Sequence, residues 1–376
     1  MLRLRRALAQ HIEIPFRFTF RHALAERSRG EGVLVQAEDA EGRVGFGECA
    51  PRSYVSGETV ESVRAALPEL WSKLAGSELG SFEELCAALE DASADLPRER
   101  HAAFCTLELA LLDLGGRCFG SSAGDVAGPV VREALAYSGI VSADTPETAE
   151  RTCAMIAKLG VQAVKVKVGR DLAEDRALLA VVRRVLGEGV SLRVDANGAW
   201  DARTGLERIR ALSEFDLHGV EQPVAAGDLD GMAWLTERSS VPVIADESLV
   251  SLEDAHALAE RRGCHVFNVR ISKCGGLLRS AAIRDVGRAA GIGCMLGAQV
   301  GETAILSAAG RQFGARTPEL SFAEGSYGTL LLERDVSDDL TLEPGGVGRV
   351  PRGVGLGVRV NADSVREFVR EEWELE

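Results

Sequence analysis

Residues 164–197 read VKVKVGRDLAEDRALLAVVRRVLGEGVSLRVDAN, and this stretch decides the fold. Val164–Val168 and Ser191–Asp195 are short apolar runs, while Leu172–Leu186 between them has apolar residues three and four apart. A strand, an amphipathic helix and a second strand in that order make a βαβ unit, whose strands lie parallel. The alternation continues on both sides. Upstream, Ala134–Ser142 predicts a strand. Downstream, strands are predicted at His218–Gln222, Pro242–Asp246, Val266–Ser272, Gly293–Gly297 and Leu320–Glu324. Helices are predicted between them at Ala202–Leu212, Gly231–Arg238, Leu252–Arg261, Leu277–Ala290 and Thr303–Phe313. Eight units of about 25–30 residues suit a closed (β/α)8 barrel better than an open sheet.

The flanks read differently. Ile12, Ile14, Phe16, Phe18 and Phe20 share one parity, as a half-buried strand requires. Glu31–Glu38 and Gly42–Glu48 predict two further strands, joined by a turn at Asp39–Glu41. Helical patterns follow over Glu58–Leu74, where Pro68 is expected to kink or split the helix, then over Ser81–Leu89 and Arg98–Leu114. Residues 1–129 are therefore expected to form an α+β domain and residues 130–342 the barrel. Residues 343–376 begin with the Gly-rich PGGVGRVPRGVGLG, then predict a short strand at Val358–Val360 and a helix from Ala362. This last segment is too short to fold alone and is expected to return to the first domain.

Composition narrows the function. The 376 residues carry 43 Lys+Arg against 57 Asp+Glu, a net charge of −14, and 46% are hydrophobic. That apolar content supports a folded core. The acidic balance disfavours nucleic acid, and no run approaches the ~20 apolar residues that span a bilayer. The eight Cys form no CxxC pair, and the start MLRLRRALAQ lacks the apolar core of a secretory signal. Reduced thiols in a cytoplasmic protein are expected.

Polar residues recur at the carboxyl ends of successive strands. They are Lys165 and Lys167, then Asp195 and Asn197, Glu221, Asp246 and Lys273. The steps from Lys167 to Asp195, Glu221, Asp246 and Lys273 are 28, 26, 25 and 27 residues, each about one βα unit. In a barrel they converge at the face that carries active sites. A single Asp after a strand is ordinarily a helix cap. Five consecutive strand ends in the order Lys, acid, acid, acid, Lys are not explained by capping. Three carboxylates at one mouth repel each other unless a cation joins them. Three oxygen donors with open positions describe a Mg2+ site, and no His or Cys accompanies the acids to suggest zinc. Lys165 and Lys167, two apart on a strand, point to one side. Burial near a cation favours a neutral amine that can act as a base. Lys273, from the sixth strand, lies across the barrel from them.

Five segments carry a family resemblance: VKVKVG (164–169), VDANGAW (194–200), VEQPV (220–224), IADES (244–248) and ISKCGG (271–276). With GFGECAPRSYVSGET (45–59) and GLGVRV (355–360), the chain resembles the enolase superfamily, in its muconate-lactonizing-enzyme subgroup. The resemblance implies a modified TIM barrel, (β/α)7–8β, beneath an α+β capping domain built from both chain ends. It implies Mg2+, with Mn2+ as a tolerated substitute, on Asp195, Glu221 and Asp246. Lys167 and Lys273 would be the acid/base pair, with Lys165 supporting Lys167, and Asn197 and Glu247 orienting the ligands from behind. The shared chemistry is removal of a proton α to a carboxylate, giving a metal-stabilised enediolate. Relatives of the mandelate-racemase kind use a His near the seventh strand, where this chain has Met295, Leu296 and Gly297.

The substrate is expected to be a small carboxylate bound by a homo-oligomer: an amino acid, an N-acylamino acid or a dipeptide undergoing racemisation or epimerisation. The alternative on the same scaffold is an o-succinylbenzoate-synthase-type dehydration or a muconate-type cycloisomerisation. A metal-free Schiff-base aldolase using Lys167 and a non-catalytic binding protein are the remaining readings; the complete Lys and acid set argues against the last. Dipeptide epimerases of the best-known kind carry a DxD pair after the eighth strand, whereas FAEGSYG (322–328) offers only Glu324. Arg21, Arg27, Arg29, Arg52 and Tyr54 in the first domain, with Gln299 in GAQVGE (297–302) and Glu324, are the candidate substrate contacts.

Overall fold

The computed structural model describes residues 1–22, 25–143 and 145–375, without the side chains of residues 19–22, 25 and 26. Strands β1 (Leu2–His22), β2 (Ala25–Asp39) and β3 (Val44–Cys49) form an antiparallel sheet. Helix α1 (Val60–Ser72), strand β4 (Glu78–Leu79, paired with β1), α2 (Phe82–Ala92) and α3 (His101–Phe119) follow. Helix α1 is capped by the reciprocal Thr59/Ser62 pair and runs through Pro68 unbroken. The alternation in β1 buries Ile12 and Ile14. It does not extend to Phe18, which is 53% exposed, because the β1–β2 register shifts between Pro15 and Phe20. Helix α3 is buried along nearly its whole length and lies directly on β3. Two glycines allow that approach: a Cβ on Gly47 would stand 2.0 Å from the Thr106 carbonyl oxygen, and one on Gly45 2.3 Å from that of Ala110.

The barrel begins later than the sequence suggested. The run Ala134–Ser142 divides into β5 (Ala134–Ala136) and β6 (Gly139–Val141), and only β6 joins the parallel sheet. Then come α4 (Pro146–Leu159), β7 (Ala163–Lys167), α5 (Leu172–Leu186), β8 (Ser191–Asp195), α6 (Ala202–Leu212) and β9 (Leu217–Glu221). Next are α7 (Leu229–Arg238), β10 (Val243–Ala245), α8 (Leu252–Arg261), β11 (Val266–Val269), α9 (Leu277–Ala289) and β12 (Gly293–Leu296). Helix α10 (Ala304–Ala315), β13 (Leu320–Ala323) and a single helical turn, α11 (Gly328–Leu331), complete it. The eight strands β6–β13 pair in sequence order as one curled parallel sheet. Its ends meet where the Ser138 N–H donates to the Ala323 carbonyl at 2.9 Å.

The chain then supplies β14 (Val347–Arg349), which pairs with β5 outside the barrel, and α12 (Ala362–Phe368). The expected strand at Val358–Val360 does not form. The left-handed Gly355 and Gly357 turn the chain there, tied to Ser121 and Val354. An unforeseen strand, β15 (Val369–Leu375), instead pairs antiparallel with β1, so both chain ends share one sheet. All eight Cys are unbridged, and among the described residues no helix is long and apolar enough to cross a membrane.

Candidate active site

The parallel strands place the polar residues in rows. Lys167 on β7 pairs in register with Asp195 on β8, and Asp195 with Glu221 on β9. Glu221 is in register with Ile244 on β10, so Asp246, two residues on, shares its face. Val164, Val166, Val194 and Val220 fill the opposite face and are buried. The result is a row of three fully buried carboxylates in strand order with a lysine bonded to each end. The Lys167 ammonium donates to Asp195 Oδ2 at 2.6 Å, and that of Lys273 to Asp246 Oδ1 at 2.8 Å.

Each buried charge has compensation. Lys165 donates to Glu221 Oε1 at 3.0 Å and to Glu324 Oε2 at 2.7 Å, with Asp195 Oδ2 at 3.3 Å. Arg193 donates to Glu324 Oε1 at 2.8 Å, and Arg270 contacts Asp246 and donates to Gln299 at 3.1 Å. Lys273 also donates to the main-chain carbonyls of Asp246 and Asn268. Behind Lys167, Asn197 accepts from its ammonium at 2.8 Å and donates to Glu247 at 2.9 Å. Asn197 takes a left-handed backbone, φ 45°, which Asn tolerates better than most residues.

The proton affinities follow from these contacts. Burial opposes ionisation of Asp195, but Lys167 and Lys165 hold it well below the usual carboxylate range. Burial likewise opposes ionisation of Asp246, which Arg270 and Lys273 bring down to about 2. Burial and the repulsion of Asp195 push Glu221 up to about 8 despite Lys165. Burial would strip the proton from Lys165, but Glu221, Glu324 and Asp195 raise its affinity instead. Lys165 is therefore held as an ammonium here rather than poised as a neutral amine.

The donor set suits a hard divalent cation: three carboxylates on one face of adjacent strands, with one further buried acid oxygen, Glu247 Oε2, lacking a hydrogen-bond partner. The spacing is wider than a bound ion needs. Among the described residues, only His11, Glu13 and Glu31 on the cap sheet bring one ligand atom each within 4.8 Å of the others. Arg270, Lys165 and Lys273 lie among the three acids and keep them apart.

A small cleft of about 50 Å³ opens onto this cluster, bordered by Tyr54, Lys167, Asn197, Glu247, Gln299 and Glu324. Tyr54 comes from the cap, with Arg27 over its ring at 5.7 Å. Arg29 and Arg52 lie away from the cleft. Arg29 is ion-paired to Glu13 at 2.6 Å on the exposed cap sheet. Arg52 is fully buried and donates to the carbonyls of Glu31, Pro51 and Val300, so it ties the cap to the loop after β12. Glu324 borders the cleft and is ion-paired to Lys165 and Arg193. The Arg21 side chain lies outside the described residues. Arg193 and Arg270 escaped the sequence reading. Arg193 is two residues before Asp195 on one strand, so the period-2 rule that paired Lys165 with Lys167 applies to it equally.

Comparisons with known proteins agree with this architecture. A family model described as enolase C-terminal domain-like matches residues 147–364. An L-Ala-D/L-Glu epimerase of Clostridium acetobutylicum is 31% identical over 293 residues, covering 76% of this chain and 80% of its own. The crystal structure of the N-succinyl Arg/Lys racemase of Bacillus cereus superposes with a TM-score of 0.92 at 25% identity, covering 100% of both chains. A dipeptide epimerase of Enterococcus faecalis, complexed with Mg and the dipeptide L-Leu-L-Tyr, superposes at 0.86 with 25% identity, covering 95% of this chain and 99% of that one.

Proposed function

Because the chain belongs to the enolase superfamily, in its mandelate racemase/muconate lactonizing group, we propose that it is a Mg2+-dependent racemase or epimerase of N-acylamino acids or dipeptides. One observation carries the reading: the buried carboxylate row with a lysine at each end. Asp195, Glu221 and Asp246 would hold the ion. When bound, Mg2+ supplies positive charge to the substrate carboxylate, which makes its α proton more acidic. Lys167 borders the cleft and accepts the α proton at Nζ from one face. Lys273 lies at the far end of the row and returns a proton to the opposite face, inverting the centre. Lys165 and Asn197 keep Lys167 and the carboxylates in place. Tyr54 and Gln299 border the space left for the rest of the substrate.

The test is incubation of dipeptides and N-acylamino acids in D2O with Mg2+. Solvent deuterium at Cα with loss of chirality supports the proposal. Elimination or ring closure without racemisation would instead assign the dehydratase or cycloisomerase reaction. Racemisation that survives Lys167→Ala or Lys273→Ala would refute the two-lysine mechanism.

A further inference from the structure

A solvent-open cleft of about 580 Å³ lies away from the barrel mouth. It lies where helix α3 of the cap, helix α10 of the barrel and the returning C-terminal segment meet. Five arginines line it: Arg117, Arg311, Arg349, Arg352 and Arg359. Only two carboxylates do, Asp339 and Glu343. In a chain of net charge −14, such a concentration of guanidinium is against the average.

The partners of these arginines separate into two kinds. Four meet acids, three of them at or near the surface. Arg117 is held by the buried Asp113; Arg349 meets Glu343 on the surface, and the 82%-exposed side chain of Arg352 reaches Glu133 at 3.2 Å. The Arg359 side chain is 90% exposed and comes only within 3.9 Å of Asp339. Such exposed pairs are weak and exchange readily for a better anion. Arg311 is different. It is 2% exposed and donates to neutral acceptors, among them Ser326 Oγ at 2.9 and 2.6 Å, and the carbonyls of Arg349 and Thr341 at 2.8 and 2.9 Å. The Tyr137 hydroxyl also interacts with its guanidinium, which lies 5.8 Å from the Tyr137 ring centre. Among the described residues no carboxylate lies within 4.0 Å of it. Burial accordingly lowers its proton affinity. A buried guanidinium without a counter-charge is costly, and this one forms part of the wall of a solvent-open cleft.

We propose that this cleft binds a multiply charged, phosphate-bearing small anion, which supplies the counter-charge that Arg311 lacks and is gripped by Arg352 and Arg359. The volume suits a ligand larger than a single phosphate. Planar guanidinium forks match phosphate oxygens two at a time. None of the lysines or acids of the barrel mouth lines it, so the two sites are separate.

Calorimetric titration of the full chain with tripolyphosphate, in magnesium-free, low-salt buffer, tests this. Saturable binding is expected, weakened at least about tenfold by Arg352→Glu with Arg359→Glu, both exposed positions where folding is not at stake. Binding is expected to persist in Lys167→Ala, which removes a cation from the barrel mouth. No saturable binding, or binding indifferent to the double substitution, overturns the site; so does binding lost in Lys167→Ala. Citrate binding as tightly as tripolyphosphate overturns the assignment to phosphate.

Discussion

Glu48 and Thr303, 255 positions apart, are joined by two hydrogen bonds: the Thr303 N–H donates to Glu48 Oε1 at 2.8 Å and its hydroxyl to Oε2 at 2.6 Å. The Leu306 N–H adds a third at 2.9 Å. A carboxylate on a cap strand thus serves the N-terminus of a barrel helix, where unpaired N–H groups and the helix dipole favour negative charge. Glu108 of α3 repeats the arrangement at the start of α9, accepting from the N–H groups of Leu277 and Leu278. The residue that caps α9 there is Gly276, which has no side chain to do so. Two acids therefore fix the cap over the barrel mouth.

Replacing Glu48 by Ala strands buried N–H groups of Thr303 and Leu306. The expected cost is on the order of 3 kcal/mol, read from urea denaturation, with Glu48→Gln costing less. A change within about 0.5 kcal/mol for Glu48→Ala would remove Glu48 from the docking contact.

The same two acids make stability depend on pH. Burial raises Glu48 to about 7 and Glu108 to about 8, against three and two hydrogen bonds that favour the anions. A carboxyl raised in the folded state binds its proton more tightly there than in the unfolded chain. Its stabilising contribution is full below the unfolded value near 4.5 and disappears as pH rises through about 7 to 8. The melting temperature should therefore fall between pH 5 and 9, and Glu48→Gln with Glu108→Gln should flatten that slope. An unchanged slope in the double variant would assign the dependence to other groups.

Gly47→Ala tests how closely α3 meets β3. Its new Cβ would lie 2.0 Å from the Thr106 carbonyl oxygen and 2.5 Å from the Ala110 nitrogen, both main-chain atoms of a buried helix. Neither can move without shifting the helix. The expected loss is about 3 kcal/mol, measurable by calorimetry. A melting temperature equal to that of the parent would show that the helix has room to shift.

Metal binding has a readout apart from turnover. Mg2+ at one hundred times its Kd should stabilise the fold by about 2.7 kcal/mol. EDTA should reverse the shift, and Asp195→Asn should abolish it. A shift that persists in Asp195→Asn would place the ion elsewhere, and His11, Glu13 and Glu31 would be the next trio to replace.

The barrel was legible because parallel strands buried on both faces leave short apolar runs at a regular interval, and the strand-end lysines and acids inherit that interval. The row Lys167, Asp195, Glu221 could be read from spacing alone, since register follows from the pairing of consecutive strands. Strand β15 could not. Its residues, VREEWEL, are mostly charged, and they extend only because the free edge of β1 accepts their main chain. Val358–Val360 had the better strand composition, but the left-handed Gly355 and Gly357 turn the chain just before it. The same division holds for charge. By sequence, Arg52 and Glu324 were open groups for a substrate, and Glu48 and Glu108 were unremarked acids. Packing turned Arg52 into a clamp on main-chain carbonyls, kept Glu324 at the cleft border while pairing it with Lys165 and Arg193, and made the other two helix caps. Local sequence determined which elements form and where their polar residues recur. Only the tertiary structure decided which charges meet, because a buried charge is stabilised by partners that arrive from distant parts of the chain.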